Sequence, residues 1–221
     1  MLGINSLYKS FGGIQAIKDV SLKIEKSSIT ALIGPNGAGK TTLFNIINGS
    51  IKPDSGSVTL NDTDITGYEP HQLFNLGILR TFQIAHEFSS LTVRDNLMMV
   101  PPNQTGESIM NTWFRQKKIK QEEQDILEKT NDVLDFLQLK HIANEYAGNL
   151  SGGQKKLLEL GRTMMVKPKI VLLDEVGAGV NRTLLNTIGD AILRLNKDLN
   201  YTFCMIEHDI DLLVGYVTQL L

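Results

Sequence analysis

The chain has 221 residues, 42% of them hydrophobic and 21% charged, enough to bury one large core or a core domain with a smaller insert. Its net charge of -2 gives no global basic field for nucleic acid, and its one cysteine excludes an internal disulfide and a multi-cysteine zinc site. The sequence contains no apolar run of about 18 residues and no secretory signal core, which predicts a soluble cytoplasmic protein that would reach a membrane through a partner.

The first third of the chain predicts short antiparallel strands followed by a strand, a loop and a helix. The stretches INSLYKSF and IQAIKDVSLKIEKSS read as strands joined by Gly12 and Gly13. The apolar strand ITALIG then runs into a glycine loop, and the following helix TTLFNIINGS places Leu43, Ile46 and Ile47 on one face.

The rest of the chain predicts an inserted helical segment and then alternating strands and helices. Residues 92–149 are polar and helical, with one apolar stripe formed by Val133, Leu134, Leu137 and Leu139. The strands KIVLLDE and YTFCMIEHD follow, each with a helix before it, and both are apolar on two faces. This pattern predicts an α/β fold with a mostly parallel sheet, in which Cys204 is a buried and unreactive strand residue.

The stretch GPNGAGKT, residues 34–41, fits the pattern G-x-x-x-x-G-K-[ST] between a strand and a helix. Its glycines allow backbone N–H groups to surround phosphates, and the helix N-terminus adds partial positive charge. Lys40 is suited to the β- and γ-phosphates, and the Thr41 hydroxyl to Mg²⁺. A glycine-rich turn that only caps a helix is the disfavoured alternative. The predicted phosphate-binding residues are Gly34, Pro35, Asn36, Gly37, Ala38, Gly39, Lys40, Thr41 and Thr42.

The apolar strand IVLLDE ends in two carboxylates with different predicted tasks. Asp174 at the strand tip is expected to hold the magnesium through water, and Glu175 to polarise an attacking water. An apolar run that ends in Asp-Glu is weak evidence by itself. The evidence becomes strong beside the phosphate-binding glycine loop (P-loop) of residues 34–41.

The stretch NLSGGQKK predicts a second helix start. Ser151 and Gln154 fit a capping box, and an amphipathic helix follows them. That account leaves Gly152 and Gly153 unexplained, because glycine in a helix costs roughly 1 kcal/mol relative to alanine. The pair therefore suggests that another group closely approaches this backbone.

The order LSGGQ after a P-loop and before IVLLDE resembles the signature of ABC-type ATPases, and the resemblance covers essentially all of residues 1–221. It implies a P-loop NTPase core at residues 1–91 and 151–221 with a helical subdomain at about 92–150. It also implies that Phe11 stacks on adenine, that Gln83 reaches the magnesium and the attacking water, and that His208 contacts the γ-phosphate. Residues 178–181 take the place of the D-loop.

The same resemblance implies how the molecule assembles. Two such domains associate head to tail, so Ser151, Gly152, Gly153 and Gln154 would serve ATP held by the neighbouring copy, which is identical or homologous. The other implied partners are transmembrane permease subunits and, indirectly, a periplasmic solute-binding protein, with no nucleic acid. The implied location is the inner face of the cell membrane.

Three stretches look like the ATPases that energise uptake of branched-chain amino acids, urea or amides: FGGIQAIKDVSL, RTFQ followed by LTVRDNL, and AGVN followed by IEHDIDLL. The expected function is therefore ATP hydrolysis that drives a membrane importer. A non-transport ABC ATPase of DNA repair or translation is the alternative, although the insert is short and lacks cysteine. A P-loop kinase would have no use for LSGGQ.

Three features depart from the family pattern. Val176 stands where proline is usual, and Asn181 replaces the aspartate of many D-loops. The sequence stops at GYVTQLL, which predicts either a truncated fragment or a sheet without one edge, with Leu220 and Leu221 poorly buried.

The insert also carries NTWFRQKKIKQEEQ, residues 111–124, in which two aromatics adjoin basic residues. Such a patch is suited to binding nucleic acid, lipid headgroups or the transport subunit. The alternative is that it has no binding role and is a solvated helix packed by one aromatic pair. The solvated helix is favoured, because an acidic run follows directly.

Overall fold

The computed structural model describes residues 1–81, 87–102, 104–107, 109–175, 177, 182–207 and 217–221. The chain divides into two compact units, the first comprising Met1–Gln83 and Pro168–Leu221 and the second Ile84–Lys167. Among the described residues, no helix is both long enough and apolar enough to cross a membrane.

The elements follow one another in the predicted order. The strands are β1 (Leu2–Phe11), β2 (Ile14–Ile24), β3 (Ile29–Leu32), β4 (Ser55–Leu60), β5 (Thr63–Asp64), β6 (Ile78–Arg80), β7 (Ile170–Asp174), β8 (Phe203–Ile206) and β9 (Gln219–Leu220). The helices are α1 (Lys40–Ile47), α2 (Pro70–Leu76), α3 (Val93–Met98), α4 (Ile109–Phe114), α5 (Gln116–Phe136), α6 (Gly152–Met164) and α7 (Arg182–Leu199). Short 3-10 helices cover Thr105–Glu107, Lys140–Ile142 and Ala147–Asn149.

The first unit contains an antiparallel sheet with the strand order β2-β1-β4-β5. Strands β1 and β2 form the predicted hairpin, in which Phe11 pairs with Ile14 and Gly12 adopts a φ of +57°. Leu2 and Ile4 of β1 are at most 1% exposed and alternate along the strand, as period-two burial requires. An irregularity in the register between Ile4 and Leu7 then shifts this alternation by one residue, so Leu7 is also buried. The predicted N-terminal antiparallel subdomain is confirmed.

The second sheet of this unit is parallel throughout and has the order β6-β7-β8-β3-β9. Every residue of β3, β7 and β8 is buried, which explains why these strands are apolar on both faces. The last residues form the edge strand β9, in which Gln219 pairs with Thr30, so this edge of the sheet is present. Leu221 beyond it is exposed.

Apolar side chains of both sheets and of α1 form the core of the first unit. Helix α1 buries Leu43, Phe44, Ile46 and Ile47, which include the three predicted positions. Cys204 on β8 is fully buried, and this burial raises the pKa of its thiol to about 12. Because the thiolate is the reactive form, the predicted unreactive cysteine is consistent with its surroundings.

The second unit is helical and packs around α5 and α6. The predicted stripe of Val133, Leu134, Leu137 and Leu139 is buried. A Cβ atom on Gly161 of α6 would lie 2.8 Å from Leu137 Cδ1, which shows how closely the helices approach. The second unit spans residues 84–167, which includes the predicted helical segment at about 92–150 and all of α6.

Candidate functional site

The glycine loop of residues 34–42 connects β3 to α1 and adopts a conformation that only glycine accommodates easily. Gly37 and Gly39 have φ angles of +83° and +91°. A Cβ atom on Gly39 would lie 2.4 Å from the carbonyl oxygen of Ala16 on β2. Gly39 is therefore required both for the turn and for the close approach of the loop to the antiparallel sheet.

Helix α1 begins at the end of this loop, and its first amide groups suit an anion. No side chain caps the helix at Gly39, and its first turn contains no acidic residue. The opening N–H groups of a helix have no intrahelical acceptor and carry the positive end of its dipole. Lys40 adds a cation at the same place, and its Nζ donates to the carbonyl oxygens of Gly34 and Pro35 at 2.7 and 3.0 Å.

A cavity of about 180 Å³ lies directly over the loop. It is lined by Ala16, the loop residues Asn36, Gly37, Ala38, Gly39, Lys40, Thr41 and Thr42, and Glu175. The fold thus joins the loop to a carboxylate more than a hundred residues downstream. The backbone N–H groups and Lys40 are suited to binding a phosphate group. The Glu175 carboxylate is placed to act as a base beside it.

Asp174 lies at the end of β7 and is almost completely buried. Its Oδ2 accepts a hydrogen bond from Arg80 Nη2 at 2.6 Å, and the side chains of this ion pair are 7% and 13% exposed, respectively. Arg80 Nη1 also donates to Asn45 Oδ1, and its guanidinium carbon lies 5.8 Å from the centre of the Phe44 ring. One arginine on β6 therefore contacts both α1 and the carboxylate of β7.

Sequence reasoning missed Arg80, although its signal is visible in the motif RTFQ. An arginine in a strand whose neighbours are buried requires an anionic partner, because an unpaired buried charge is costly. The β6–β7 register, in which Arg80 pairs with Leu172, brings Asp174 within reach.

Glu175 follows Asp174 in the left-handed region, with a φ of +48°. This conformation is unfavourable for a residue with a Cβ, and it turns the chain sharply after β7. Its N–H donates to the Ile206 carbonyl at 2.9 Å, which holds the turn against β8. Glu175 lines the cavity over the glycine loop, whereas Asp174 pairs with Arg80.

Glu207 is a second residue that sequence reasoning missed. It is 4% exposed, and its Oε1 accepts a hydrogen bond from the Gly177 N–H at 2.8 Å. The end of β8 is thereby connected to the segment that follows Glu175. The only sequence signal is its place beside His208 in IEHD.

Of the other predicted site residues of the first unit, the structure describes Phe11. Phe11 ends β1 and is 47% exposed, and Lys9 Nζ lies 5.5 Å from the centre of its ring. Gln83, His208, Val176 and residues 178–181 lie outside the described residues. Their predicted roles remain predictions.

In the second unit, the predicted capping box at the start of α6 is confirmed. Ser151 Oγ accepts from the Gln154 N–H at 3.4 Å, and Gln154 Oε1 accepts from the Ser151 N–H at 2.9 Å. A Cβ atom on Gly152 would meet no described atom within 4 Å. Packing within the described chain therefore does not require glycine at this position, whereas Gly153 is buried.

A partly buried ion pair anchors the same helix. Lys155 Nζ donates to Glu87 Oε1 at 2.7 Å, with side-chain exposures of 26% and 10%. Burial raises the pKa of the Glu87 carboxyl, but the hydrogen bond from Lys155 and further donors outweigh this effect and leave the pKa below its ordinary value. The carboxylate therefore stays charged.

Comparisons with known proteins agree with this geometry. The sequence model of the ABC transporter family, described as "ABC transporter", matches residues 17–178. The "Probable branched-chain amino acid transport ATP-binding protein LivG" of Methanocaldococcus jannaschii is 41% identical over all of this chain and 84% of its own length. The "High-affinity branched-chain amino acid transport ATP-binding protein LivG" of Salmonella typhimurium is 34% identical over 97% of this chain and 84% of its own length.

A solved structure has the same fold. The crystal structure of the ADP conformation of an ATP-binding cassette of an ABC transporter superposes with a TM-score of 0.83. It is 40% identical to this chain, and the alignment covers 99% of this chain and 85% of that one.

The buried Arg80–Asp174 pair leads to a stability prediction. Arg80→Met should lower the free energy of unfolding by about 3 kcal/mol, because it leaves the Asp174 carboxylate buried without its cation. Urea denaturation measures this loss. The matched control is Lys23→Met, which breaks the exposed Lys23–Glu25 pair and should lower the stability far less, because solvent screens that pair. Equal losses in the two variants would contradict the importance of the buried pair.

The Glu87–Lys155 pair predicts a pH dependence. Because the folded-state pKa of Glu87 lies below the unfolded value, its stabilising effect is complete above the unfolded pKa and is lost as pH falls through the folded pKa. Glu87→Gln should cost about 2 kcal/mol at neutral pH, and the difference from the unmodified chain should shrink below about pH 4. Thermal unfolding across pH tests this, with the exposed Glu145→Gln of the same unit as control. A loss that does not change with pH would refute the assignment.

Proposed function

The chain belongs to the ABC transporter family, and from this premise we propose that it is the ATP-hydrolysing subunit of an importer for branched-chain amino acids or a related small polar solute such as urea or an amide. The cavity that joins the glycine loop to Glu175 is the observation that carries the hydrolytic part of the proposal. The printed names of the LivG relatives support the solute class. In this proposal the first unit is the ATPase core and the second is the helical subdomain.

Within the core, each residue has a defined task. The N–H groups of residues 34–42 and the Lys40 ammonium bind the phosphates, and Phe11 stacks on the adenine. Glu175 accepts a proton from the attacking water, assisted by Gln83 and His208. Magnesium, when bound, would draw negative charge from the phosphates; Thr41 and Gln83 would hold it, and Asp174, which is paired with Arg80, would hold it through water. Within the part of the chain that the structure describes, no group of three or more His, Cys, Asp or Glu side chains is arranged to hold a metal ion by itself.

The start of α6 would serve a second ATPase subunit, identical or homologous, in a head-to-tail dimer. Ser151, Gly152, Gly153 and Gln154 would contact nucleotide held by the P-loop of the neighbouring subunit. The open space beside Gly152 supports this role, because no described atom of the chain occupies it. Splitting the site in this way explains why one chain needs two helix starts that suit phosphate.

Transport requires partners that cross the membrane. We infer permease subunits, with a periplasmic solute-binding protein acting through them, and a location at the inner face of the cell membrane. The description of both LivG relatives as transport ATP-binding proteins supports this arrangement. Nucleic acid is not among the proposed partners.

Replacing the proposed base tests the chemistry. Glu175→Gln should lower steady ATP turnover by at least about a hundredfold, because the amide cannot accept the proton. ATP should instead accumulate in a stable dimer. Phosphate release and size-exclusion chromatography with ATP measure the two effects, and the exposed helical substitution Glu128→Gln is the control. Rapid turnover by Glu175→Gln would exclude Glu175 as the base.

Complementation tests the split site. Ser151→Arg and Lys40→Ala should each be inactive alone, because each damages one half of every site. Random mixing yields heterodimers with one intact composite site, and activity should recover to about a quarter of the unmodified level. Phosphate release from the mixed chains measures this recovery. Activity that stays at the level of the separate variants would contradict a site shared between two chains.

A further inference from the structure

The end of α4 and the start of α5 expose two adjacent aromatic side chains. Trp113 is 80% exposed and Phe114 is 77% exposed. The interpretation from sequence, in which an aromatic pair packs a solvated helix, is therefore wrong for this pair. Neither residue contributes to the core of the second unit, and a role outside that core must explain them.

Cations follow these aromatics immediately. Residues 109–121 contain Arg115, Lys117, Lys118 and Lys120 and no acidic residue. Lys118 pairs with Glu122 at 3.5 Å, whereas Arg115, Lys117 and Lys120 form no ion pair with any described residue. We call Trp113, Phe114, Arg115, Lys117 and Lys120 the aromatic–cationic edge.

The acidic run that follows does not neutralise this edge. Glu122 is turned inward, where its carboxylate accepts from the Thr105 N–H and Oγ1 at 2.9 and 2.6 Å. Glu123 is exposed and lies three residues beyond Lys120, so it offsets the charge at that end of the edge. Because a helix rises 1.5 Å per residue, Arg115 and Lys117 are about 12 and 9 Å from Glu123 along the axis. These two separations exceed the screening length of about 8 Å at physiological salt, so the end of the edge that carries Arg115 and Lys117 presents a local positive field.

We propose that the aromatic–cationic edge contacts the surface of an anionic lipid bilayer directly. Tryptophan and phenylalanine bury apolar area at the boundary between headgroups and acyl chains, and nearby lysine and arginine are attracted to anionic headgroups. The edge combines both features within eight residues. Membrane contact would then not depend on a partner alone, as the sequence had suggested.

The composition of the edge favours lipid over a protein or nucleic acid. Aromatic residues and arginine are enriched at protein–protein interfaces as well as at membrane surfaces, so the lysines decide between the two. Lysine is depleted at protein–protein interfaces, and two of the three cations of the edge are lysines. Nucleic acid generally requires an extended basic surface, whereas these cations lie within six residues of a chain of net charge -2. Binding to an anionic lipid surface requires only a local cluster of cations beside exposed apolar side chains.

Trp113 is the only tryptophan of the chain and therefore reports on its own contact. The purified chain would be mixed with phosphatidylcholine vesicles that contain either no anionic lipid or about 30% phosphatidylglycerol. With anionic vesicles we expect the tryptophan emission to shift to the blue and to be quenched by brominated acyl chains. Roughly 0.5 M NaCl should reverse both changes, because salt screens the attraction. Unchanged emission with anionic vesicles would overturn the proposal.

Two variants separate the contributions of charge and aromatic side chains. Arg115→Gln/Lys117→Gln/Lys120→Gln keeps the reporter and should weaken vesicle binding by roughly fivefold per cation, on the order of a hundredfold in total. Trp113→Ser/Phe114→Ser should abolish vesicle flotation, and circular dichroism verifies that both variants are folded. The charge-matched control is Lys18→Gln/Lys26→Gln/Lys197→Gln, three exposed lysines of the first unit, which should bind like the unmodified chain.

Three outcomes would overturn the lipid assignment. In the first, the edge variants and the control bind vesicles equally well. In the second, the emission shift occurs only in vesicles that also contain a permease, which would assign the edge to a protein partner. In the third, single-stranded nucleic acid produces the shift and vesicles do not. None of these measurements involves nucleotide, so they are independent of the proposed ATPase site.

Discussion

The buried ion pair between Arg80 and Asp174 connects the parts of the molecule that the nucleotide chemistry requires. Arg80 belongs to β6, Asp174 to β7, and the same guanidinium contacts Asn45 and Phe44 on α1. The helix that starts at the glycine loop is therefore tied to the strand that presents both carboxylates. Without this cation, the Asp174 carboxylate would be buried and unpaired, and the adjoining Glu175 would lose a fixed support.

Around this pair, the fold concentrates unfavourable backbone geometry where the chemistry takes place. Glu175 adopts a left-handed conformation, and Gly39 approaches the Ala16 carbonyl more closely than any Cβ would permit. Such conformations persist only where neighbouring contacts determine them. Here the hydrogen bond from Glu175 to β8 and the contact of Glu207 with Gly177 provide that support.

Features that depend on nearby residues were predictable from the sequence. The glycine loop, the capping box at Ser151 and the apolar strands are determined by patterns of a few residues, and the structure has them. The Arg80–Asp174 pair joins residues 94 positions apart and depends on β6 lying next to β7, which no local pattern specifies. The extent of the helical unit depends in the same way on the packing of Gly161.

The exposure of Trp113 and Phe114 also escaped prediction, because the sequence of a polar helix with one aromatic pair is compatible with either a packed or an exposed pair.

The capping box of α6 also bears on how the proposed dimer would form. Ser151 and Gln154 fix the first turn of this helix by hydrogen bonds within the chain, and Lys155 is held by Glu87. The conformational entropy of ordering this segment is therefore lost during folding and not during association. A preorganised surface of this kind would meet a neighbouring nucleotide as a rigid body, so its contribution to dimer affinity would not be reduced by ordering at the moment of contact.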